Sequence, residues 1–285
     1  MNKKTAKKFI FIILAIVLLI TMPFVVLCCI YVDNKNIQYE DIVINLNDKS
    51  TQEIKIVHLS DLHFPKLKVD IDKMIEKLNG LELDFIAITG DLIDSTANLD
   101  QCGVKEFIDR LIKIAPIYYV NGNHEVANKA SDKLYDYLLE KGVFVLMNED
   151  RLYKKGDLMI TIIGISDNEN FQRNDYLKGG ETDYRILLAH RPEEEKTWTY
   201  VSCPNDEHLW QVPNLVLSGH AHGGQFIFNG KGVIAPNQGF FPTYYNGRYE
   251  LTKHTTMVVS RGLGNSIIPF RFNNPPHIPI IRIKF

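Results

Sequence analysis

The sequence has 285 residues, of which 45% are hydrophobic and 23% charged, with 34 acidic residues against 32 Lys and Arg. That composition excludes a disordered or fibrous chain, and the acidic excess argues against a broad nucleic-acid surface, so no nucleic-acid partner is expected. Four cysteines, two of them inside an apolar segment, make no disulfide framework.

The N-terminus departs from globular composition. Residues 1–8 carry Lys3, Lys4, Lys7 and Lys8 and no acid, and Phe9 to Val32 contains no charged residue. About 20 apolar residues suffice to cross a bilayer as a helix. Residues 9–32 are therefore expected to be a transmembrane signal anchor, with the lipid bilayer as partner. A buried core helix and a cleaved signal peptide are the alternatives. The segment is long for either, and Leu27-Cys28-Cys29-Ile30 lacks the small residues of a cleavage site. Basic flanks stay in the cytoplasm. The expectation is a single-pass cell-membrane protein with a cytoplasmic tail over 1–8, a polar stalk over 33–51 and an extracytoplasmic domain over 52–285.

Within that domain short apolar strands alternate with helical patterns. Strands are expected at Ile54–Leu59, Phe85–Thr89, Ile117–Val120 and Val143–Met147. Amphipathic helices are expected at Asp70–Leu78, Leu99–Ile112 and Asp132–Glu140. This βαβ alternation predicts a largely parallel, helix-covered sheet. The second half is richer in strands, at Leu158–Ile163, Arg185–Ala189, Leu215–Leu217, Thr256–Ser260 and Ile278–Ile283. The fold class is α/β, with two stacked sheets and helices outside. Spacing leaves open whether Cys102 and Cys203 pair.

Strand after strand ends in a side chain able to ligate a metal. Asp61 and His63 follow the first, Asp91 the second, and Asn123 and His124 the third. His190 follows a later strand, and Gly219-His220-Ala221-His222-Gly223-Gly224-Gln225 follows Leu215–Leu217. In open α/β sheets the carboxyl ends of the strands form the site rim, so these residues are expected to converge. Each piece alone is weak, and a single histidine after a strand is usually a hydrogen-bonded structural residue. The ordered set is not easily explained that way.

That ordered set, Asp61-x-His63, Gly90-Asp91, Gly122-Asn123-His124-Glu125, His190 and Gly219-His220-Ala221-His222, resembles the calcineurin-like metallophosphoesterase superfamily over about Ile54 to Phe285. Gly219–Gln225, Ser260-Arg-Gly-Leu-Gly264 and Pro269-Phe-Arg-Phe272 are similar to its bacterial membrane-associated phosphodiesterases, the group that includes an atypical UDP-diacylglucosamine pyrophosphatase. The resemblance implies a four-layer sandwich, two central mixed β-sheets flanked by helices. It implies that Asp61, His63, Asp91 and His222 hold one divalent metal. Asp91 would bridge to a second held by Asn123, His190 and His220, with His124 catalytic beside the phosphate. Ligands without thiolate suit Mn, Fe or Zn, with Mn the first expectation. Arg191 and Gln225 are candidate substrate contacts. The implied activity is hydrolysis of a phosphodiester or pyrophosphate by a bridging hydroxide, on a phosphorylated small-molecule or lipid-linked substrate. Gly90-Asp91-Leu92-Ile93 lacks the continuation found in Ser/Thr protein phosphatases. A membrane-tethered binding or regulatory protein on an inactive phosphoesterase fold is the alternative. Trp198, Tyr200, Trp210 and Phe240 to Tyr245 are read either as an apolar lip or as a packed surface patch.

Overall fold

The computed structural model describes residues 3–46, 52–167, 182–199, 212–265 and 268–285. The chain opens with helix α1 (Lys3–Asp33). Its apolar window Lys7–Val25 packs on none of the other described residues, and Phe9, Phe11, Leu14, Leu19 and Phe24 are all exposed.

The first half follows as β1 (Gln38–Asn45), β2 (Glu53–Leu59), α2 (Ile71–Asn79), β3 (Phe85–Thr89), α3 (Val104–Leu111) and β4 (Ile117–Val120). It ends with α4 (Asn123–Ala127), α5 (Ser131–Glu140) and β5 (Phe144–Val145). The second half contains β6 (Glu149–Lys155), β7 (Leu158–Gly164), β8 (Tyr184–Leu188), α6 (Glu195–Thr199) and β9 (Leu215–Ser218). Two small hairpins come next, β10 (Ile227–Phe228) with β11 (Lys231–Gly232), and β12 (Ile234–Ala235) with β13 (Gly239–Phe240). The chain closes with β14 (Gly247–Glu250), β15 (Thr256–Val259) and β16 (His277–Lys284).

Two six-stranded sheets form, in the orders β1-β16-β2-β3-β4-β5 and β14-β15-β9-β8-β7-β6. Their central strands are apolar on both faces, so each sheet must be covered twice. In β2, Ile54 and Ile56 enter the core between the sheets, while Val57 and Leu59 face the helices. Phe85 and Ala87 alternate in the same way with Ile86 and Ile88 in β3. Helices α2, α3 and α5 close the outer face of the first sheet with Met74, Leu78, Phe107, Ile108, Leu134 and Leu138. Asp70 caps α2 by accepting the N–H of Lys73 at 3.1 Å. The expected layers are present, although among the described residues the helix over the second sheet is only the short α6. Its Trp198 is 2% exposed and packs with Val216, Met257 and Val259, so it is core and not lip. Phe240 and Phe241 are exposed; Tyr200, Trp210 and Cys203 lie outside the described residues, and Cys102 is a buried free thiol.

The expected stalk over 33–51 is corrected by β1. Helix α1 runs to Asp33, Asn34 is buried with its Oδ1 accepting from Asn265 Nδ2 at 2.8 Å, and β1 pairs in parallel with β16 from Gln38↔His277 onward. Ile42 and Ile44 are buried in the intersheet core, in a strand whose sequence signal is weakened by the polar residues Gln38, Glu40 and Asp41 before them. β16 is antiparallel to β2, so β1 starts at the end of the sheet where β2, β3 and β4 finish. The foot of α1 and the carboxyl-end rim therefore share one end of the domain. The amphipathic stretch from Leu99 is helical only from Val104, because Gly103 takes φ 83° at its N-cap.

Candidate metal centre

The expected side chains meet at that rim. Asp91 Oδ2 lies 3.6 Å from His63 Nε2 and 3.4 Å from His190 Nε2. On one side, His222 Nε2 stands 3.2 Å from His63 Nε2 and 3.6 Å from Asp61 Oδ1. On the other, His190 Nε2 stands 3.1 Å from both Asn123 Oδ1 and His220 Nδ1. Ligand-capable atoms of Asp61, His63, Asp91 and His222 all lie within 4.8 Å of one another, as do those of Asp91, His190 and His220. All of these except Asn123 are buried.

The backbone is bent to achieve this. Asp61, His63, Asp91, His220 and His222 have φ between 48 and 63°. Left-handed conformations in non-glycine residues are uncommon, cost of order 1–3 kcal/mol each and cluster at functional sites. Glycine supplies the clearance. A Cβ on Gly122 would collide with the Asp91 carboxylate, and one on Gly219 with Ser60 Oγ and the Asp61 carboxylate.

The donor set fits divalent cations. Imidazole nitrogens 3.1 to 3.2 Å apart, converging on carboxylate oxygens, are what a shared cation requires of its ligands. Three of the imidazoles are also held in the neutral, ligating form, whereas the burial of His190 is outweighed by the Asp91 carboxylate, which raises it well above the usual histidine value. Burial pushes His63 down to about 3 and lowers His220 and His222 well below the usual histidine value. Burial raises Asp61 to about 6 in the metal-free chain, against the pull of His190; a bound cation would reverse that shift. His190 donates Nδ1–H to the carbonyl of Thr89 at 2.8 Å, which aims its Nε2 at the centre, where a cation would take the place of the Nε2 proton. These two adjoining groups of carboxylate and imidazole ligands fit a dinuclear divalent metal site.

His124 sits at the edge, its ring 4.4 Å from that of His63 and its Nε2 4.0 Å from Asp91 Oδ2. Its Nδ1 accepts the backbone N–H of Ser95 at 3.1 Å, so in the neutral ring the proton resides on Nε2. The two candidate substrate contacts differ. Arg191 makes a two-point pair with Asp167, at 2.5 and 2.9 Å. Gln225 is buried and spends its amide N–H groups on the carbonyls of Ile268 and Phe270, so it supports a loop. Its φ of 57° turns the chain back toward that loop.

Several supporting residues escaped sequence reasoning. Asp94, fully buried, accepts from Lys66 Nζ at 2.6 Å and from Thr96, and lies 3.4 Å from His124 Nδ1. Burial works against its charge, but the Lys66 and Thr96 hydrogen bonds prevail and hold it at about 2. Arg271, fully buried, donates to the carbonyls of Arg261 (2.7 Å) and Gly264 (2.6 Å), and its Nη2 reaches His222 Nδ1 at 3.5 Å. Asn237, in the turn between β12 and β13, lies 3.3 Å from His220 Nε2. Its only sequence signal is a position in a turn-rich segment.

The family model for calcineurin-like phosphoesterases matches residues 54–224. An uncharacterized metallophosphoesterase of Helicobacter pylori is 30% identical over 249 residues, which cover 83% of this chain and 61% of that protein. A bovine transmembrane protein with a metallophosphoesterase domain is 28% identical over 247 residues, 80% of this chain and 52% of the relative. The chain thus spans well under the full length of both. Haemophilus influenzae NAD nucleotidase has a similar fold, with a TM-score of 0.50 at 16% identity over 75% of this chain and 46% of the nucleotidase. With the matched segment carrying the whole rim from Asp61 to His222, the chain belongs to the calcineurin-like phosphoesterase family.

Proposed function

We propose that this chain is a membrane-anchored, dinuclear metal-dependent phosphoesterase that hydrolyses a phosphodiester or pyrophosphate bond of a membrane- or envelope-associated substrate. The observation that carries the reading is Asp91, whose single oxygen stands within 3.6 Å of histidines from both ligand groups. Asp61, His63, Asp91 and His222 would hold one metal, and Asp91, Asn123, His190 and His220 the other. Mn, Fe and Zn all suit the donor set, and the share of oxygen ligands favours Mn. When bound, two such ions supply an acidified water and a clamp on the attacking and leaving oxygens of an in-line displacement.

The chain's own groups do the rest. His124 offers its Nε2 proton to the departing oxygen, a step worth about 10²- to 10⁴-fold. Arg191, oriented by Asp167, stands beside His190 as the cation for a substrate phosphate. Helix α1 supports the membrane reading, because a long exposed apolar helix needs an apolar solvent. Lys3, Lys4, Lys7 and Lys8 favour an extracytoplasmic domain. With α1 in a bilayer, the rim at the same end of the domain would lie toward the membrane, which suits a substrate presented at its surface.

The test is hydrolysis of bis-p-nitrophenyl phosphate by the detergent-solubilised full chain with added Mn²⁺, with metal content measured on the same sample. Turnover that disappears in Asp91→Ala is expected. Failure with every one of Mn, Fe and Zn, or undiminished turnover in that variant, overturns the reading.

A further inference from the structure

A groove of about 560 Å³ opens where α1 joins the domain, and Lys35, Asn36, Tyr39, Lys68, Asp70 and Lys73 contribute to its lining. Three ammonium groups face one carboxylate there, so the groove is cationic. Among the described residues each lysine has a single protein partner. Lys35 Nζ donates to Tyr31 Oη at 2.9 Å, Lys68 Nζ to the carbonyl of Pro269 at 3.0 Å, and Lys73 Nζ lies 3.4 Å from Asp70 Oδ2. An ammonium carries three N–H donors, which leaves donors on every one of them for an anion.

Position identifies the anion. The uncharged run from Phe9 to Val32 spans roughly 36 Å as a helix, somewhat more than the ~30 Å hydrocarbon layer. The helix end therefore emerges among the headgroups. No slack follows, because Asn34 is buried against Asn265 and β1 begins at Gln38. Lys35, two residues beyond the helix end, is consequently held at headgroup depth, and so is the groove that it lines.

We propose that this groove is a binding site for the phosphate of an anionic phospholipid headgroup, distinct from the metal centre. Lysines at a membrane surface are attracted to anionic lipid, and here three are gathered around one cavity. A bound headgroup would fix the rotation of the domain about α1 and keep the metal rim facing the bilayer. The inference rests on the membrane-anchor part of the proposed function and is independent of the hydrolytic part.

The full chain is purified from membranes, placed in nanodiscs of mixed phosphatidylcholine and phosphatidylglycerol, and released for native mass spectrometry. The wild-type chain should retain phosphatidylglycerol in preference to phosphatidylcholine. The triple variant Lys35→Gln, Lys68→Gln, Lys73→Gln should retain about tenfold less. The control Lys155→Gln, at the opposite end of the sheets, should match the wild type. Equal retention by the triple variant, no preference for the anionic lipid, or displacement by millimolar inorganic phosphate overturns the proposal. Recovery of the chain in the aqueous phase without detergent would instead overturn the anchor reading.

Discussion

Glu125 Oε2 accepts the backbone N–H of Asp91 at 2.8 Å, which ties the loop after β4 to the loop after β3 directly behind the bridging carboxylate. The same side chain accepts from Gly122 at 2.7 Å and Ile93 at 2.8 Å, and it is fully buried. Burial and the neighbouring Asp91 push its carboxyl up to about 8 in the metal-free chain, and the three N–H donors oppose that rise. The amide of Gln would turn one of these acceptors into a donor facing a backbone N–H. Glu125→Gln should therefore lower unfolding stability by about 2–4 kcal/mol. The measurement is a urea midpoint on chelator-treated protein, where metal affinity does not contribute. An unchanged midpoint would show that Glu125 clamps nothing.

Arg271 links the anchor to the metal centre. Its guanidinium reaches His222 at one end and Asn265 Oδ1 at 3.3 Å at the other, and Asn265 holds Asn34 at the foot of α1. Only donors are available on arginine, and His222 Nδ1 carries the ring proton when Nε2 ligates, so Arg271 acts on the site through the backbone carbonyls of Arg261 and Gly264 that it holds beside His222. Arg271→Met should weaken Mn²⁺ binding by about tenfold, because it frees the carbonyls of Arg261 and Gly264 and loosens the loop packed against His222. Arg271→Lys should fall between. Titration calorimetry on the metal-free protein reads this directly, and equal affinities for the three chains would remove Arg271 from the site.

His124 separates proton donation from metal binding. His124→Ala should reduce kcat by about 10²- to 10⁴-fold for substrates with an alkoxide leaving group. The loss should shrink for p-nitrophenolate, which departs without help. Bound metal should stay at the wild-type level. A uniform loss across leaving groups, accompanied by loss of metal, would make His124 a ligand instead of an acid.

Much of the rim was legible in the sequence because parallel strands deliver their terminal residues to one edge. Asp61, Asp91, Asn123, His190 and His220 each follow a strand whose apolar run is unambiguous. The supporting roles were not legible, although Glu125 and Arg271 stand inside motifs that carry the resemblance. Glu125 acts through backbone atoms, and Asp94 and Arg271 act through partners 28 to 49 positions away. Nothing local marks such contacts. β1 was missed for a related reason. It is an edge strand with one buried face, its first four residues read Gln-Tyr-Glu-Asp, and its partner lies at the far end of the chain. The five left-handed ligand positions were equally invisible, because Asp and His tolerate that conformation without a glycine to announce it.

His58 makes the fold acid-sensitive independently of the metal centre. It lies on β2, fully buried, with Nε2 2.8 Å from Thr89 Oγ1 on β3. Burial, reinforced by His277, pushes its imidazole down to about 3 from an ordinary 6.5. The unfolded chain thus binds a proton that the folded chain rejects, and the neutral-state stability is fully present above about pH 6.5. It is lost progressively as pH falls from there toward 3. At pH 5 the loss amounts to about 2 kcal/mol for this one group. In His58→Gln an uncharged amide faces Thr89 at every pH, so the difference in unfolding free energy between pH 7 and pH 5 should shrink by that amount. Paired urea titrations of metal-free wild type and variant at the two pH values measure it. Parallel acid limbs would mean that the buried imidazole takes up its proton without cost, and that the acid sensitivity has another source.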